Sequence, residues 1–588
     1  MLLPKLKELN TSRQIVDTFK GYNHNLRISE GEFFEMENMT SDYYPILAPR
    51  GKRGVYASPE HTNGIIAKDE LCYVDGTAFV IGEDRVEMGL TDGPKQLTSM
   101  GAYVIIMPDK KYINTASPVD RGDIEATFVF RDVEGQRQSM TITPSTITGE
   151  ALVFTSEETA PTSPKDGAVW ADKSTSPITF KRYAESSNMW TAISPTYLKL
   201  KTTGIGKQFR KYDSVTISNV PNLSGLEKYL VGNKIVQACG DDYIVVECEV
   251  MEIRCLIDSD PDGDFTFKRE MPAVDFLIES ENRLWGCRYG EADNGEMVNE
   301  IYACKLGDFK NWNCFMGLST DSYSASCGTD GPFTGAITHL GYPLFFKENC
   351  VHKVYGNYPS NYQIQTTVCR GVQKESDRSL AIVNETLFYK SNGGVCAYDG
   401  SLPVEASYGL GNDYYTDAVA GSYGNKYYIS MKDRAGQWHL FVYDVAKAMW
   451  HREDDFHAVD FASWHGELYA IDYDTRKILT MLGVGTEEKV KWMVQTGPMG
   501  TDMPDMKYIS RLTVRMTLPQ GSRVKFLAQY DSIGGWEHLG TMVGSNLRSF
   551  SIPIRPRRCD HMRIRIEGEG DARIYSITKT IEQGSEIS

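Results

Sequence analysis

Tyr342-Pro-Leu-Phe-Phe, Asn384-Glu-Thr-Leu-Phe-Tyr, Asn425-Lys-Tyr-Tyr-Ile-Ser and Gly466-Glu-Leu-Tyr-Ala share one pattern, a turn pair followed by a short aliphatic–aromatic strand. With Phe345, Phe388, Tyr428 and Tyr469 taken as equivalent, the intervals are 43, 40 and 41 residues. A second strand follows each: Val351-His-Lys-Val-Tyr, Val395-Cys-Ala-Tyr, Leu440-Phe-Val-Tyr and Ile478-Leu-Thr-Met. A repeat of about 40 residues with about four strands marks a β-propeller. One twisted four-stranded sheet cannot bury both of its faces, so such units stack on one another.

Working outward, the pattern recurs at Asn282-Arg-Leu-Trp-Gly and more weakly at Glu70-Leu-Cys-Tyr-Val and Ala102-Tyr-Val-Ile-Ile. Six or seven blades fit this count. The expected fold is all-β: propeller blades over 56–118 and 271–487, an inserted β-rich domain over 119–270, and a C-terminal β-sandwich over 488–588. A small module within the insertion, about 158–192, is bracketed by Trp170 and Trp190. Residues 1–55 hold too few periodic apolar positions for a domain. They read as an extended arm lying over the propeller or a neighbouring subunit, serving assembly more than folding.

The 588 residues carry 62 Lys+Arg against 78 Asp+Glu, a net charge of −16, which excludes a chain that wraps nucleic acid throughout. The charge is uneven: residues 488–588 hold 15 basic and 11 acidic side chains, leaving about −20 on the rest. Apolar runs such as Tyr103–Met107 fall far short of the ~18 residues of a membrane helix, so no membrane insertion is expected. The first residues lack the apolar core of a signal peptide. None of the 12 cysteines forms a C-x-x-C pair, as in a protein folded in a reducing cytoplasm.

Four clusters have residue types suited to chemistry. Asp258-Ser-Asp-Pro-Asp-Gly-Asp places Asp258, Asp260, Asp262 and Asp264 at loop positions 1, 3, 5 and 7 with glycine at 6, the spacing of a Ca2+ loop. Position 12 is Arg269 instead of a bidentate glutamate, and a solvated acidic turn is the plainer reading. Trp170 and Trp190 could stack on a sugar ring as a glycan platform, or be the core of their small module. His451 and His457 share a face of an extended segment, again with a polar loop as the alternative. Arg555, Arg557, Arg558, Arg563 and Arg565 form the sharpest basic cluster, read as a subunit interface or a solvated strand face. No phosphate loop, dinucleotide fingerprint, G-x-S-x-G or H-E-x-x-H is present. Asp433-Arg-Ala-Gly-Gln-Trp matches half of the turn repeated in propeller sialidases, and it occurs once.

Four stretches carry a family resemblance. The N-terminal segment from Phe19-Lys-Gly-Tyr-Asn-His through Glu37-Asn-Met-Thr-Ser-Asp-Tyr-Tyr-Pro to Arg50 resembles the opening of the nozzle, or packaged-DNA stabilisation, proteins of tailed bacteriophages. Asp505-Met-Lys-Tyr-Ile-Ser-Arg-Leu and Pro556-Arg-Arg-Cys-Asp-His are similar to the same family, and Ala160–Trp190 resembles modules inserted into phage structural proteins. The resemblance implies a structural virion protein of the tail or head–tail connector, without enzymatic activity or a cofactor beyond a possible Ca2+. It would assemble in the host bacterial cytoplasm as a ring homo-oligomer, a hexamer, beneath adaptor and portal, retaining and then conducting packaged DNA. Two competing readings stay open: a tail-tip receptor- or glycan-binding propeller, and a propeller glycoside hydrolase, which would need clustered carboxylates.

Overall fold

The computed structural model describes residues 11–583 except 133–135, 177, 224–226, 249–254, 261–263, 293, 484 and 504–505. The chain is all-β, with several four-stranded antiparallel sheets and one partly curled eight-stranded sheet. It divides into two compact units, residues 1–97, 332–353 and 365–588, and residues 98–331 with 354–364.

In the first unit the repeated hairpins share a two-residue turn. His339 pairs with Tyr342, Val383 with Thr386, Tyr423 with Lys426 and Trp464 with Glu467. Leu340–Gly341, Asn384–Glu385 and His465–Gly466 all have positive φ at both positions, the signature of a type I′ turn that matches strand twist. Counting from these turns corrects the repeat. Phe388, Tyr428 and Tyr469 are equivalent, but their fourth partner is Leu344. Phe345 lies one residue on and so points to the opposite face of its sheet.

The equivalent side chains pack between successive sheets. Leu344 meets Leu387, Tyr428 meets Leu468 and Ala470, and Tyr469 meets Ile65 and Leu71. The Phe388 ring stacks on Tyr427 of the following sheet at 5.3 Å between centroids. Phe388→Ala is expected to cost about 3–5 kcal/mol, read by chemical denaturation, because the sheets on either side cannot close on the void. The sheet of Ala458–Trp464, Glu467–Asp472 and Ile478–Gly483 takes its fourth strand from early in the chain, Lys52–Ala57.

The C-terminal segment is not a separate sandwich. Its strands belong to a 13-stranded sheet that the N-terminal arm completes. Thr11–Val16 pairs with Arg573–Gln583, and Glu32–Glu37 pairs with Lys491–Thr496. Gly21–Tyr22 lies between Glu32–Glu37 and Met449–Arg452, joining these strands to the meander over 415–452. The arm is therefore sheet and core, not a strap laid over a finished fold. Phe19, Tyr22, Phe33, Met36, Met39 and Leu47 are all buried with Trp450, Trp492 and Phe441.

The second unit contains the meanders Tyr103–Met107 to Arg121–Asp123 and Phe276–Ser280 to Tyr323–Ser326. Between them in sequence, eight strands over 126–269 form the eight-stranded sheet. Phe130, Ile142, Leu200, Ile217, Val236 and Phe267 fill its core. Four short strands over 155–192 make a separate small sheet, whose first pair is parallel.

Candidate functional site

The arm and the meander over 415–452 enclose a cavity of about 430 Å³ within the first unit. Its base is aromatic. Tyr22 and Tyr415 are buried, with centroids 5.7 and 5.4 Å from the ring of Phe441. Burial holds both phenols well above their usual pKa, with Asp413 and Glu35 adding to the shift, so they stay protonated.

The rim is charged and ordered by two histidines. His24 Nδ1 donates to the Phe34 carbonyl at 2.9 Å, and its ring lies 3.5 Å from Glu35 and 3.7 Å from Asp413. His439 Nδ1 accepts from Arg452 at 3.1 Å, which leaves Nε2–H to donate to Asp433 at 3.0 Å. That hydrogen bond, with backbone donors at Gln437 and Ala435, holds the Asp433 carboxyl below the usual carboxylate range. The half sialidase-type turn is thus a self-capped loop, and its Asp433 and Arg434 line the cavity.

A second chamber of about 250 Å³ shares the wall Asn412–Tyr415 and Arg434 with the first. Together the chambers offer four carboxylates, Glu35, Asp413, Asp433 and Glu405, with exposed amides and aromatic faces along one cleft. Such a surface suits a polyhydroxylated ligand, whose C–H face packs on rings while its hydroxyls bridge carboxylates and amides.

The residues singled out in the sequence lie elsewhere. Trp170 is 5% exposed, with its indole N–H donating to the Glu157 carbonyl and Trp190 set edge-on at 5.4 Å. It is a core side chain of its small sheet and offers no face to a sugar. In the Ca2+ candidate, Asp262 lies outside the described residues. Asp258 ends the strand Cys255–Asp258, and Asp258, Asp260 and Asp264 are exposed. Among the described residues no three His, Cys, Asp or Glu side chains gather as a metal set.

The two histidines do not meet: His451 is buried, while His457 is sandwiched by Trp438 at 3.6 Å and Tyr473 at 4.1 Å. The arginine cluster splits. Arg555, Arg557 and Arg558 are exposed, with Arg557 paired to Glu537 at 2.6 Å. Arg563 and Arg565 share one half-buried strand face, packed on Phe34 and Trp536, and Arg565 also donates to Gln495 at 2.7 Å.

No family model and no curated protein matches the chain. Among solved structures it is similar to BamB from Moraxella catarrhalis, at 7% identity and TM-score 0.32, over 74% of this chain and 96% of that one. It is also similar to PorZ, a surface component of the type-IX secretion system of Porphyromonas gingivalis, at 11% identity and TM-score 0.24, over 88% and 82%. A third is Trypanosoma rangeli sialidase, at 9% identity and TM-score 0.22, over 96% and 95%. These matches correct the tail-nozzle resemblance, since none of them is a phage protein. The virion location, the hexameric ring, the adaptor and portal partners and the DNA conduit are withdrawn with it. The expectation of no enzymatic activity is withdrawn as well, because the matches include a glycosidase. Among the described residues, no helix is long and apolar enough to cross a membrane.

Proposed function

We propose that this chain is a glycan-binding propeller protein and that the cleft around Tyr415 is its binding site. The observation that carries this reading is the juxtaposition of a buried aromatic base (Tyr22, Tyr415, Phe441) with the carboxylates Glu35, Asp413 and Asp433 around one cavity of about 430 Å³. The repeated four-stranded meanders are read as propeller blades, six or seven in number, supported by the strand Lys52–Ala57 entering the sheet of 458–483. The hydrogen bond from His439 holds Asp433 in place, so little ordering of that carboxylate is left to the moment of binding.

A glycan array probed with the full chain, followed by calorimetry on the best ligand, tests the reading. Asp413 is about half exposed, so Asp413→Asn leaves the fold intact and is expected to weaken binding at least ~10-fold, about 1.4 kcal/mol. Absence of any bound glycan, or equal affinity in Asp413→Asn, would overturn it. Three carboxylates around one cavity also support glycoside cleavage, which the same incubations read as released reducing ends.

A further inference from the structure

The smaller chamber is lined by two cations, Lys390 and Arg434, and by two carboxylates, Glu405 and Asp413, that are paired with neither of them. Lys390 is 2% exposed, and its Nζ donates to two neutral acceptors, Gln373 Oε1 at 3.0 Å and the Ser391 carbonyl at 2.5 Å. Gln373 in turn donates to the Tyr414 hydroxyl at 2.9 Å. Lys390 Nζ and the Arg434 guanidinium both lie near the ring of Tyr414, at 5.6 and 5.3 Å from its centroid. Both side chains line the chamber, and among the described residues neither is paired with a carboxylate.

The acidic groups at hand are engaged elsewhere. Glu405 is paired with Arg370 at 3.0 Å, and Asp413 faces His24 in the larger chamber. A buried ammonium without a counter-charge is costly, and burial pulls Lys390 down to about 8. A site that maintains this arrangement gains most from a ligand that brings the missing negative charge.

We propose that Lys390 and Arg434 form an anion subsite that receives the carboxylate or sulfate of an acidic sugar, while the larger chamber holds the adjoining ring. This rests on the glycan reading above and names its ligand class as acidic. Arg434 supplies a planar donor fork from an exposed turn, and Lys390 supplies a fixed point charge from the chamber wall.

The test uses the full chain with two sets of probes. In the first, free glucuronate and inorganic sulfate are titrated against the melting temperature of wild type, Arg434→Gln and Lys390→Met, each checked for native circular dichroism. Stabilisation of wild type that both variants lose supports the subsite. No stabilisation of wild type, or the same stabilisation in both variants, overturns it. The second set compares neutral, uronate-bearing and sulfated forms of one oligosaccharide by calorimetry. The expected result is at least ~10-fold tighter binding of an acidic form, abolished by Arg434→Gln, and the tighter acidic form identifies the anion. Equal binding of all three overturns the subsite while leaving glycan binding in place. Free anions that stabilise through Lys390 and Arg434 when no oligosaccharide binds support the subsite and reject the glycan reading.

Discussion

A chain lacking residues 11–45 is expected not to fold. The deletion removes Thr11–Val16, Gly21–Tyr22 and Glu32–Glu37, three strands that each pair with a strand more than 400 residues away in sequence. It also removes five buried apolar side chains, Phe19, Tyr22, Phe33, Met36 and Met39, from the core around Trp450 and Trp492. Loss of a large buried side chain costs about 2–5 kcal/mol, so five together cost as much as or more than the ~5–15 kcal/mol that holds a typical domain together. The strands Arg573–Gln583 and Lys491–Thr496 would be left as open edges, ready to pair between molecules. Circular dichroism and limited proteolysis of the truncated chain should show aggregation and early loss of the 415–583 region. A soluble truncation that melts cooperatively near wild type would refute the role given to the arm.

The contrast with the repeats shows what a sequence can disclose. The hairpins over 335–483 were legible because their determinants are local: two-residue turns with positive φ and alternating apolar residues. Phe345 was misplaced by one because aromatic identity was followed instead of the turn Leu340–Gly341. The arm was illegible as sheet because a strand such as Gly21–Tyr22 gives no local sign of a partner at Trp450.

The motif that suggested a phage protein has structural work in this fold. Asn38, at positive φ, accepts from Arg50 Nε at 2.7 Å and donates to the Lys491 carbonyl at 2.8 Å, while Met39 is buried. The pattern from Glu37 to Arg50 thus records how the arm is latched down, which is information about fold and not about function. The cleft was hidden for a related reason. His24, Glu35, Asp413 and Asp433 come from separate chain segments, and only the turn at Asp433 left a trace in sequence.

Arg53→Ala is expected to be the most damaging single substitution outside the apolar core. Arg53 donates to Asp454 and Glu453, each at 2.7 Å, and stacks over Phe456. The neighbouring Arg50, 5% exposed in its side chain, reaches Glu487 at 2.8 Å. This buried cluster ties the end of the arm to the meander strands and to the linker before the last strands. Its ions gain little over a well-packed apolar equivalent, but removing Arg53 leaves Glu453 and Asp454 with only the longer contacts to Arg50, at 3.7 and 3.5 Å, which costs about 3–5 kcal/mol.

The same cluster sets an acid response. Burial pushes the Asp454 carboxyl up, but Arg53 and Arg50 outweigh it and hold the group below its ordinary value. A carboxyl lowered in the folded state contributes stability that is full above its unfolded pKa of about 4 and is lost as the pH falls through the folded value. Urea denaturation should therefore show wild type losing stability steeply below about pH 4. Arg53→Ala should start several kcal/mol lower at pH 7 and fall less on acidification, because its carboxylates keep only the longer contacts to Arg50 to lose. Equal slopes in the two proteins, or a cost at pH 7 under about 1 kcal/mol, would mean the cluster behaves as a solvated surface network and does not latch the arm.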